Sequence, residues 1–216
     1  MKLRLKTGLI ILCLSLTSLM AQAGEDFYAG HYQIIKPSVA TSNPNKVEVV
    51  ELFWYTCPHC YYFNEHYLHS WLKKKPSNVE FVQMPAVYDL SPKRTIFAKA
   101  FYTAEALGVL DKVNEPIFRA IHKEKRRINN QKALQALFAK YADVSADDFN
   151  MVYNSFFINM KLRRAKELTK KYGIRGVPAI IVNGKYRLGA QIAGGYDNMM
   201  EIINHLIETE YKAMSK

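Results

Sequence analysis

The chain has 216 residues, of which 49% are hydrophobic and 23% are charged. These are ordinary values for a globular protein, and they exclude a collagenous, low-complexity or largely disordered chain. The net charge of +11 is compatible with nucleic-acid, membrane or acidic partners, but also with a merely solvated basic surface, which we favour. Three cysteines are too few for a disulfide-rich scaffold.

Residues 1–23 have the three parts of a secretory signal peptide. Three basic residues stand within the first six positions, an apolar run covers residues 9–20, and Ala-Gln-Ala ends at Ala23. The run is shorter than the roughly 20 apolar residues that a membrane-spanning helix needs. We therefore predict cleavage after Ala23 and export to an oxidising compartment. Export argues against nucleic-acid partners, so we interpret three basic runs as solvated surface: residues 123–127, 163–166 and 170–171.

The first folded segment is predicted to be a strand, a helix and a second strand. Residues 47–55 form a near-continuous apolar run, rich in β-branched and aromatic residues, which predicts a buried central strand. A helix is expected from about Cys57 to about Lys75, with Pro58 in its first turn. The second strand is predicted over residues 79–84, which read VEFVQM.

Residues 91–171 differ, because apolar residues recur there at helical spacing without any strand pattern. Ser91 and Pro92 are typical of a helix start, and Ser145 with Asp148 resembles a capping box. This block is therefore predicted to be an all-α unit. The expected helices lie at about residues 95–107, 112–121, 131–141 and, as one or two helices, 146–172.

Strands are predicted to return after this block. Residues 177–182 are apolar, and Asn183-Gly184 is the strongest short signal for a hairpin. Residues 185–188 supply its second strand, and a last helix is expected at about 198–211. The order of elements predicts an α/β fold interrupted by a helical insertion.

The chemistry is expected at Cys57-Pro58-His59-Cys60, where the first strand gives way to the first helix. A structural zinc site usually needs two such cysteine pairs, and haem attachment needs a histidine where this chain has Tyr61. A purely structural disulfide across so few residues constrains the unfolded chain very little. We therefore favour a redox-active dithiol, with no metal and no cofactor.

Cys57 is predicted to be the reactive sulfur of this pair. It precedes the first helical turn, where free backbone N–H groups and the helix dipole stabilise a thiolate. His59 adds a donor or a positive charge, so the intervening Pro58-His59 pair counts among the catalytic residues. Cys60 lies one turn inside the helix and is predicted to be the resolving thiol. A stabilised thiolate favours the reduced form and makes the disulfide a stronger oxidant.

Glu51 is the second candidate for a catalytic role. Along its strand it shares parity with Val47 and Val49, so we expect it to face the core, six residues before Cys57. A buried carboxylate has a raised pKa and can relay protons to or from Cys60. The alternative is an acid at the edge of the sheet that pairs with a lysine.

Aromatic residues flank the motif on both sides and suggest an apolar surface around it. Some of them must belong to the core. Helical spacing favours Tyr61 and Tyr62 as the exposed pair. An exposed aromatic rim suits unfolded, cysteine-containing substrates with little sequence preference.

Two stretches resemble the active-site segments of the DsbA family of thiol–disulfide oxidases. They are ELFWYTCPHC, from Glu51 to Cys60, and GVPAIIVNGK, from Gly176 to Lys185. Their pairing at this separation is far more specific than a C-x-x-C motif alone, and the resemblance covers essentially the whole mature chain. It implies a thioredoxin fold with an inserted all-α domain. The implied parts are residues 24–90 and 172–216 for the thioredoxin domain and residues 91–171 for the insertion.

The resemblance also implies roles for individual residues. Cys57 and Cys60 form the redox-active disulfide, and Cys57 forms a mixed disulfide with the substrate. Glu51 matches the buried acid of the family, although its basic partner is left open. The bond between Val177 and Pro178 is implied to be cis, with an exposed backbone that can pair with a substrate strand.

The lead hypothesis is a periplasmic dithiol oxidase of a Gram-negative bacterium, which donates its disulfide to newly exported proteins that contain cysteines. The family resemblance implies re-oxidation by the membrane quinone reductase DsbB. We expect a monomer, because no segment resembles a dimerisation stalk. Two alternatives are left open: a disulfide isomerase or reductase, and a folding chaperone or binding module that uses the aromatic rim.

Overall fold

The computed structural model describes residues 26–215, so the predicted signal peptide lies outside the described residues. Within that range one mixed sheet forms from five strands: β1 (Gln33–Ile34), β2 (Val47–Phe53), β3 (Val79–Pro85), β4 (Ala179–Val182) and β5 (Tyr186–Leu188). Their order across the sheet is β1–β5–β4–β2–β3. β2 is parallel to β3 and antiparallel to β4, while β5 is antiparallel to both β4 and β1.

The helices follow the predicted order. They are α1 (Pro58–Phe63), α2 (His69–Lys74), α3 (Pro92–Ala106), α4 (Leu110–His122), α5 (Gln131–Ala142), α6 (Ala146–Tyr153), α7 (Phe156–Lys171), α8 (Ala190–Ala193) and α9 (Tyr196–Met214). A π-helical turn, Asn64–Leu68, joins α1 to α2. The helix expected after the first strand is therefore present, but its middle is not α-helical.

The topology confirms a thioredoxin fold interrupted by helices. β2, α1, α2 and β3 form a parallel crossover unit, and α3–α7 follow without a strand. The β4–β5 hairpin then adds to the sheet, and α9 packs against it. β1 and α8 were not predicted, because two and four residues are too short to show a periodic pattern. β4 begins two residues later than predicted, at Ala179, because Pro178 has no N–H for the ladder.

The sheet is covered on both faces. All seven residues of β2 are buried. Phe53 packs against Phe101 and Phe118 of the helical block, with ring centroids 5.4 and 5.6 Å apart. Met199 and Ile203 of α9 belong to the cluster on the opposite face. The helical block thus shares a continuous core with the sheet, and within residues 26–215 no helix is both long and apolar enough to cross a membrane.

Local signals in the sequence account for the ends of several elements. The backbone N–H of Asp148 donates to Ser145 Oγ at 3.1 Å, as the capping box predicts. Asn183 and Gly184 both have positive φ, 50° and 65°, which is the geometry of a tight two-residue hairpin turn. A Cβ atom at Gly184 would overlap the carbonyl of Val39. Glycine is therefore required there on both conformational and steric grounds.

Candidate active site

The strand-to-helix junction places Cys57 at the N-cap of α1. Its backbone N–H donates to the Trp54 carbonyl at 3.0 Å, and its own carbonyl accepts from the N–H of Tyr61 at 3.1 Å. Pro58 occupies the first turn, where a missing N–H costs no helical hydrogen bond. The Cys57 sulfur therefore lies beside the unpaired backbone N–H groups of the first turn.

This environment lowers the pKa of Cys57 to about 6. The largest cause is a hydrogen bond from the Cys60 thiol; the backbone N–H groups of Cys60 and His59 and the charge of His59 act in the same direction. Partial burial opposes them. The reduced Cys57 sulfur is therefore mainly a thiolate at neutral pH.

Cys60 has the opposite character. It is fully buried, and burial raises the pKa of its thiol strongly, with a further rise from the neighbouring Cys57. Cys57 and Cys60 are in the reduced form in this structure. One sulfur is accessible and ionised and the other is shielded and protonated, which is the division that a reactive and a resolving cysteine require.

The loop before β4 faces this pair. The Cys57 Sγ lies 3.5 Å from the carbonyl oxygen of Val177, to which it donates when Cys57 is a protonated thiol. The peptide bond between Val177 and Pro178 is cis, which confirms the expected geometry. His59 is exposed, and its carbonyl accepts from the Tyr196 hydroxyl at 3.5 Å. His59, Val177, Pro178 and Tyr196 line a cavity of about 490 Å³ that opens beside the cysteines.

Glu51 lies inside the fold, as its parity predicts, and is 1% exposed. Burial raises its pKa to about 7, and a hydrogen bond from Gln83 opposes that rise. The Gln83 Nε2 donates to Glu51 Oε2 at 2.8 Å, across a register that pairs these two residues on β2 and β3. The partner of this acid is therefore an amide. Lys75, one of the lysines near in sequence, donates to the carbonyl of Val79 instead.

A chain of buried and half-buried polar groups extends from Glu51 into the helical block. Asn114 of α4 donates from Nδ2 to Gln83 Oε1 at 3.0 Å, and the Tyr55 hydroxyl donates to Asn114 Oδ1 at 2.6 Å. Each donor in this chain points towards the carboxylate. Gln83 and Asn114 are not among the site residues predicted from the sequence. The sequence holds a signal for Gln83 alone. Glu51 and Gln83 each stand fifth in a predicted strand, and the structure pairs these two strands in register.

The aromatic surroundings agree only in part with the sequence. Tyr62 is 47% exposed, which confirms the prediction. Tyr61 is partly covered because its ring stacks on His122 at 5.0 Å. Trp54 is half-buried and stacks on Tyr88 at 6.2 Å. The rim around Cys57 is therefore formed partly by residues distant in sequence.

A thioredoxin fold that carries a low-pKa cysteine, a buried resolving cysteine and a facing cis-proline loop defines the class of thiol–disulfide oxidoreductases. Among residues 26–215 no three His, Cys, Asp or Glu side chains are grouped so that they could hold a metal ion. The comparisons with known proteins agree with that class. The profile of the DSBA-like thioredoxin domain matches residues 86–199.

Individual relatives match over nearly the whole chain. The thiol:disulfide interchange protein DsbA of Pseudomonas syringae pv. tomato is 38% identical over 200 residues, 92% of each chain. The crystal structure of Pseudomonas aeruginosa DsbA is 37% identical, with a TM-score of 0.80 over 87% of this chain and 96% of that one. A Proteus mirabilis DsbA with a non-covalently bound peptide, PWATCDS, is 26% identical, with a TM-score of 0.68 over 87% and 97%.

The chain belongs to the DsbA family. It is a thiol:disulfide interchange protein with the function of a dithiol oxidase.

The ionisation of Cys57 is directly measurable. In the reduced protein, thiolate absorbance near 240 nm should appear with a midpoint near pH 6. The Cys57→Ser variant should lose this transition. The Cys60→Ala variant should keep it at a higher pH, because the largest stabilising hydrogen bond is gone. A transition that survives in Cys57→Ser, or a midpoint unchanged in Cys60→Ala, would contradict this assignment.

The polar partner of Glu51 yields a second prediction. Gln83→Leu should increase the proton affinity of Glu51 tenfold or more, since a hydrogen bond to a charged group is worth about 1.5–3 kcal/mol. Gln83→Lys should lower it, because an ammonium group favours the carboxylate. Infrared titration of the carboxyl measures both. Gln135→Leu on α5 is the matched control and should leave the pKa of Glu51 unchanged. An unchanged pKa of Glu51 in Gln83→Leu would disprove the role of the amide.

Proposed function

We propose that Cys57 is the sulfur that exchanges with the substrate and that Cys60 is the sulfur that leaves. The observation that carries this proposal is the contrast between the two thiols. Cys57 is partly exposed with a pKa of about 6, while Cys60 is fully buried with a raised pKa. An incoming thiolate can reach only the first of them.

The proposed exchange balances in two steps. A substrate thiolate attacks Cys57 Sγ of the disulfide, the Cys57–Cys60 bond breaks, and Cys60 leaves with the electron pair and takes up a proton. A second substrate thiolate then attacks the substrate sulfur of the mixed disulfide and expels Cys57 as a thiolate. The substrate gains a disulfide and loses two electrons, which the protein retains as a dithiol.

Glu51 is proposed to supply and remove the proton of Cys60. Its pKa of about 7 leaves both protonation states populated at neutral pH, which a proton carrier requires. The negative charge of Glu51 contributes to the raised pKa of Cys60, after burial and Cys57, so the two groups interact. Gln83 and Asn114 position the carboxylate in this proposal.

The substrate is proposed to be an extended cysteine-containing segment of a folding protein. The Val177 carbonyl oxygen lies 3.5 Å from Cys57 Sγ, so a chain bound at this sulfur lies next to the Val177 backbone, with which it can pair as a strand. The cavity lined by His59, Pro178 and Tyr196 offers space for its side chains. The peptide bound to the Proteus mirabilis relative also contains a cysteine, which supports this substrate class.

The remaining expectations complete the proposal. The signal-peptide pattern of residues 1–23 supports a periplasmic location, with newly exported proteins as substrates. The reduced dithiol needs an oxidant, for which we propose a membrane, quinone-linked partner of the DsbB type. We also propose that the helical block over residues 91–171 is an inserted domain and that the protein acts as a monomer without a metal or cofactor.

Variants of the two cysteines test these roles. Cys57→Ser should abolish oxidation of a dithiol peptide, because no sulfur remains that the substrate can attack. Cys60→Ala, mixed with the disulfide form of the same peptide, should accumulate a mixed disulfide, because the Cys57 thiolate opens the peptide disulfide and no Cys60 remains to release it. Mass spectrometry after alkylation detects this species. Ser70→Ala, an exposed change on α2, is the control and should leave the rate unchanged. Retained oxidation in Cys57→Ser, or trapping in that variant rather than in Cys60→Ala, would overturn the assignment.

A further inference from the structure

A second cleft, of about 580 Å³, lies between the loop after β3 and the C-terminal half of α7. Val87, Tyr88, Leu90 and Ile174 supply its apolar lining. Tyr88 and Leu90 are 39% and 42% exposed, so this apolar surface is open to solvent. Exposed apolar surface inside a cleft is characteristic of binding sites.

Four exposed cations border this cleft, which we call the basic cleft: Arg163, Lys166, Lys170 and Arg175. The first three stand at positions i, i+3 and i+7 of α7, a spacing that places them along one flank of the helix. The fourth belongs to the loop that leads to β4. From the sequence alone the α7 cations are expected to be solvated surface, since spacing does not show what they face.

The positive charge of the basic cleft is only partly compensated by the described part of the chain, where Lys166 interacts electrostatically with Asp89. Among residues 26–215, none of the four cations has a carboxylate within 4.0 Å. Glu167 also lines the cleft, but its carboxylate is paired with Lys171 at 2.7 Å. Asp89 is paired with Arg94 at 3.2 Å. An apolar floor under unpaired cations is complementary to an anionic ligand that also carries apolar groups.

We propose that the basic cleft binds an acidic and apolar segment of the substrate polypeptide, close in sequence to the cysteine that reacts with Cys57. Arg175 stands two residues before Val177, whose carbonyl oxygen is 3.5 Å from the Cys57 sulfur. Two residues span at most about 7 Å, so the cleft begins next to the reacting sulfur. Tyr88 also connects the basic cleft with the active site, because it lines the cleft and stacks on Trp54, three residues before Cys57.

The continuity with Cys57 favours a polypeptide over a free anion as the occupant. An extended chain advances about 3.3–3.6 Å per residue, so side chains three to five positions from the substrate cysteine reach the cleft. Apolar side chains there cover the exposed Tyr88 and Leu90, and carboxylates there face the cations of α7. The inference rests on the proposed function and adds a substrate class to it: segments with acidic residues near the cysteine.

The test compares three dithiol peptides that differ only at positions three to five from the first cysteine, which carry Leu with Glu, Gln or Lys. The oxidised mature chain reacts with each at low salt, and free thiols are counted by alkylation and mass spectrometry. We expect the Glu peptide to react about tenfold faster than the Lys peptide, since two screened ion pairs each contribute a severalfold effect. In the Lys166→Glu/Lys170→Glu variant, the ratio of the Glu-peptide rate to the Lys-peptide rate should fall to about one or below.

The matched control is Lys73→Glu/Lys132→Glu, which makes the same change in net charge at exposed positions of α2 and α5. It should keep the ratio of the wild-type chain. Oxidation of dithiothreitol by the wild-type chain separates the two proposals. If the dithiothreitol reaction and all three peptide reactions fail, the proposed function is wrong. If dithiothreitol is oxidised and the three peptides react at equal rates, only the proposed role of the basic cleft is wrong.

Other outcomes also overturn the proposal. A ratio that is unchanged in Lys166→Glu/Lys170→Glu, or that falls equally in the control, assigns the preference to another surface or to net charge. Binding of dodecanoate that requires Lys166 and Lys170, without any preference among peptides, identifies an anionic amphiphile as the occupant. Self-association at assay concentration that the Lys166→Glu/Lys170→Glu variant abolishes identifies a second copy of the chain.

Discussion

The constraint on which the structure depends is a negative charge held on a partly buried sulfur. Backbone N–H groups, the Cys60 thiol and His59 all stabilise the Cys57 thiolate, and they outweigh the cost of its burial. The pKa of Cys57 is lower in the folded than in the unfolded chain, whose value is about 8.5. This stabilisation of the reduced folded protein is complete above that value and is lost as the pH falls through about 6. A disulfide carries no such charge, so the same groups make the oxidised form the less favoured one.

The helical block contributes to the chemistry as well as to the core. Asn114 of α4 completes the amide chain that ends at Glu51, and His122 of the same helix lies 2.7 Å from the carbonyl of Tyr55. Phe118, between them in sequence, packs on Phe53 of the central strand. The helix thus supports the segment that precedes the reactive cysteine. Substitutions in α4 are therefore expected to alter the active site, although α4 does not contact the substrate in the proposed complex.

The sequence contains strong local signals for most of the fold. β2 reads as a buried strand, the proline of the C-P-H-C motif marks the start of α1, and Asn183-Gly184 marks the hairpin. Glu51 is placed in the core by its position in this apolar strand; because all seven residues of β2 are buried, parity does not distinguish it. The sequence does not identify the polar partner of Glu51, because the amide chain through Gln83 and Asn114 depends on strand register and on where α4 packs. The basic cleft cannot be predicted from the sequence for the same reason, since only tertiary packing brings Arg175 close to the cations of α7.

The measurement that tests the account most directly is the equilibrium redox potential of the Cys57–Cys60 pair against glutathione. A pKa of about 6 in place of about 8.5 stabilises the reduced form up to about tenfold at pH 7, which raises the potential by about 30 mV. We predict a value clearly more oxidising than that of thioredoxin, about −270 mV. A value at or below that of thioredoxin would mean a stable disulfide, and the thiolate environment described for Cys57 would not explain an oxidase.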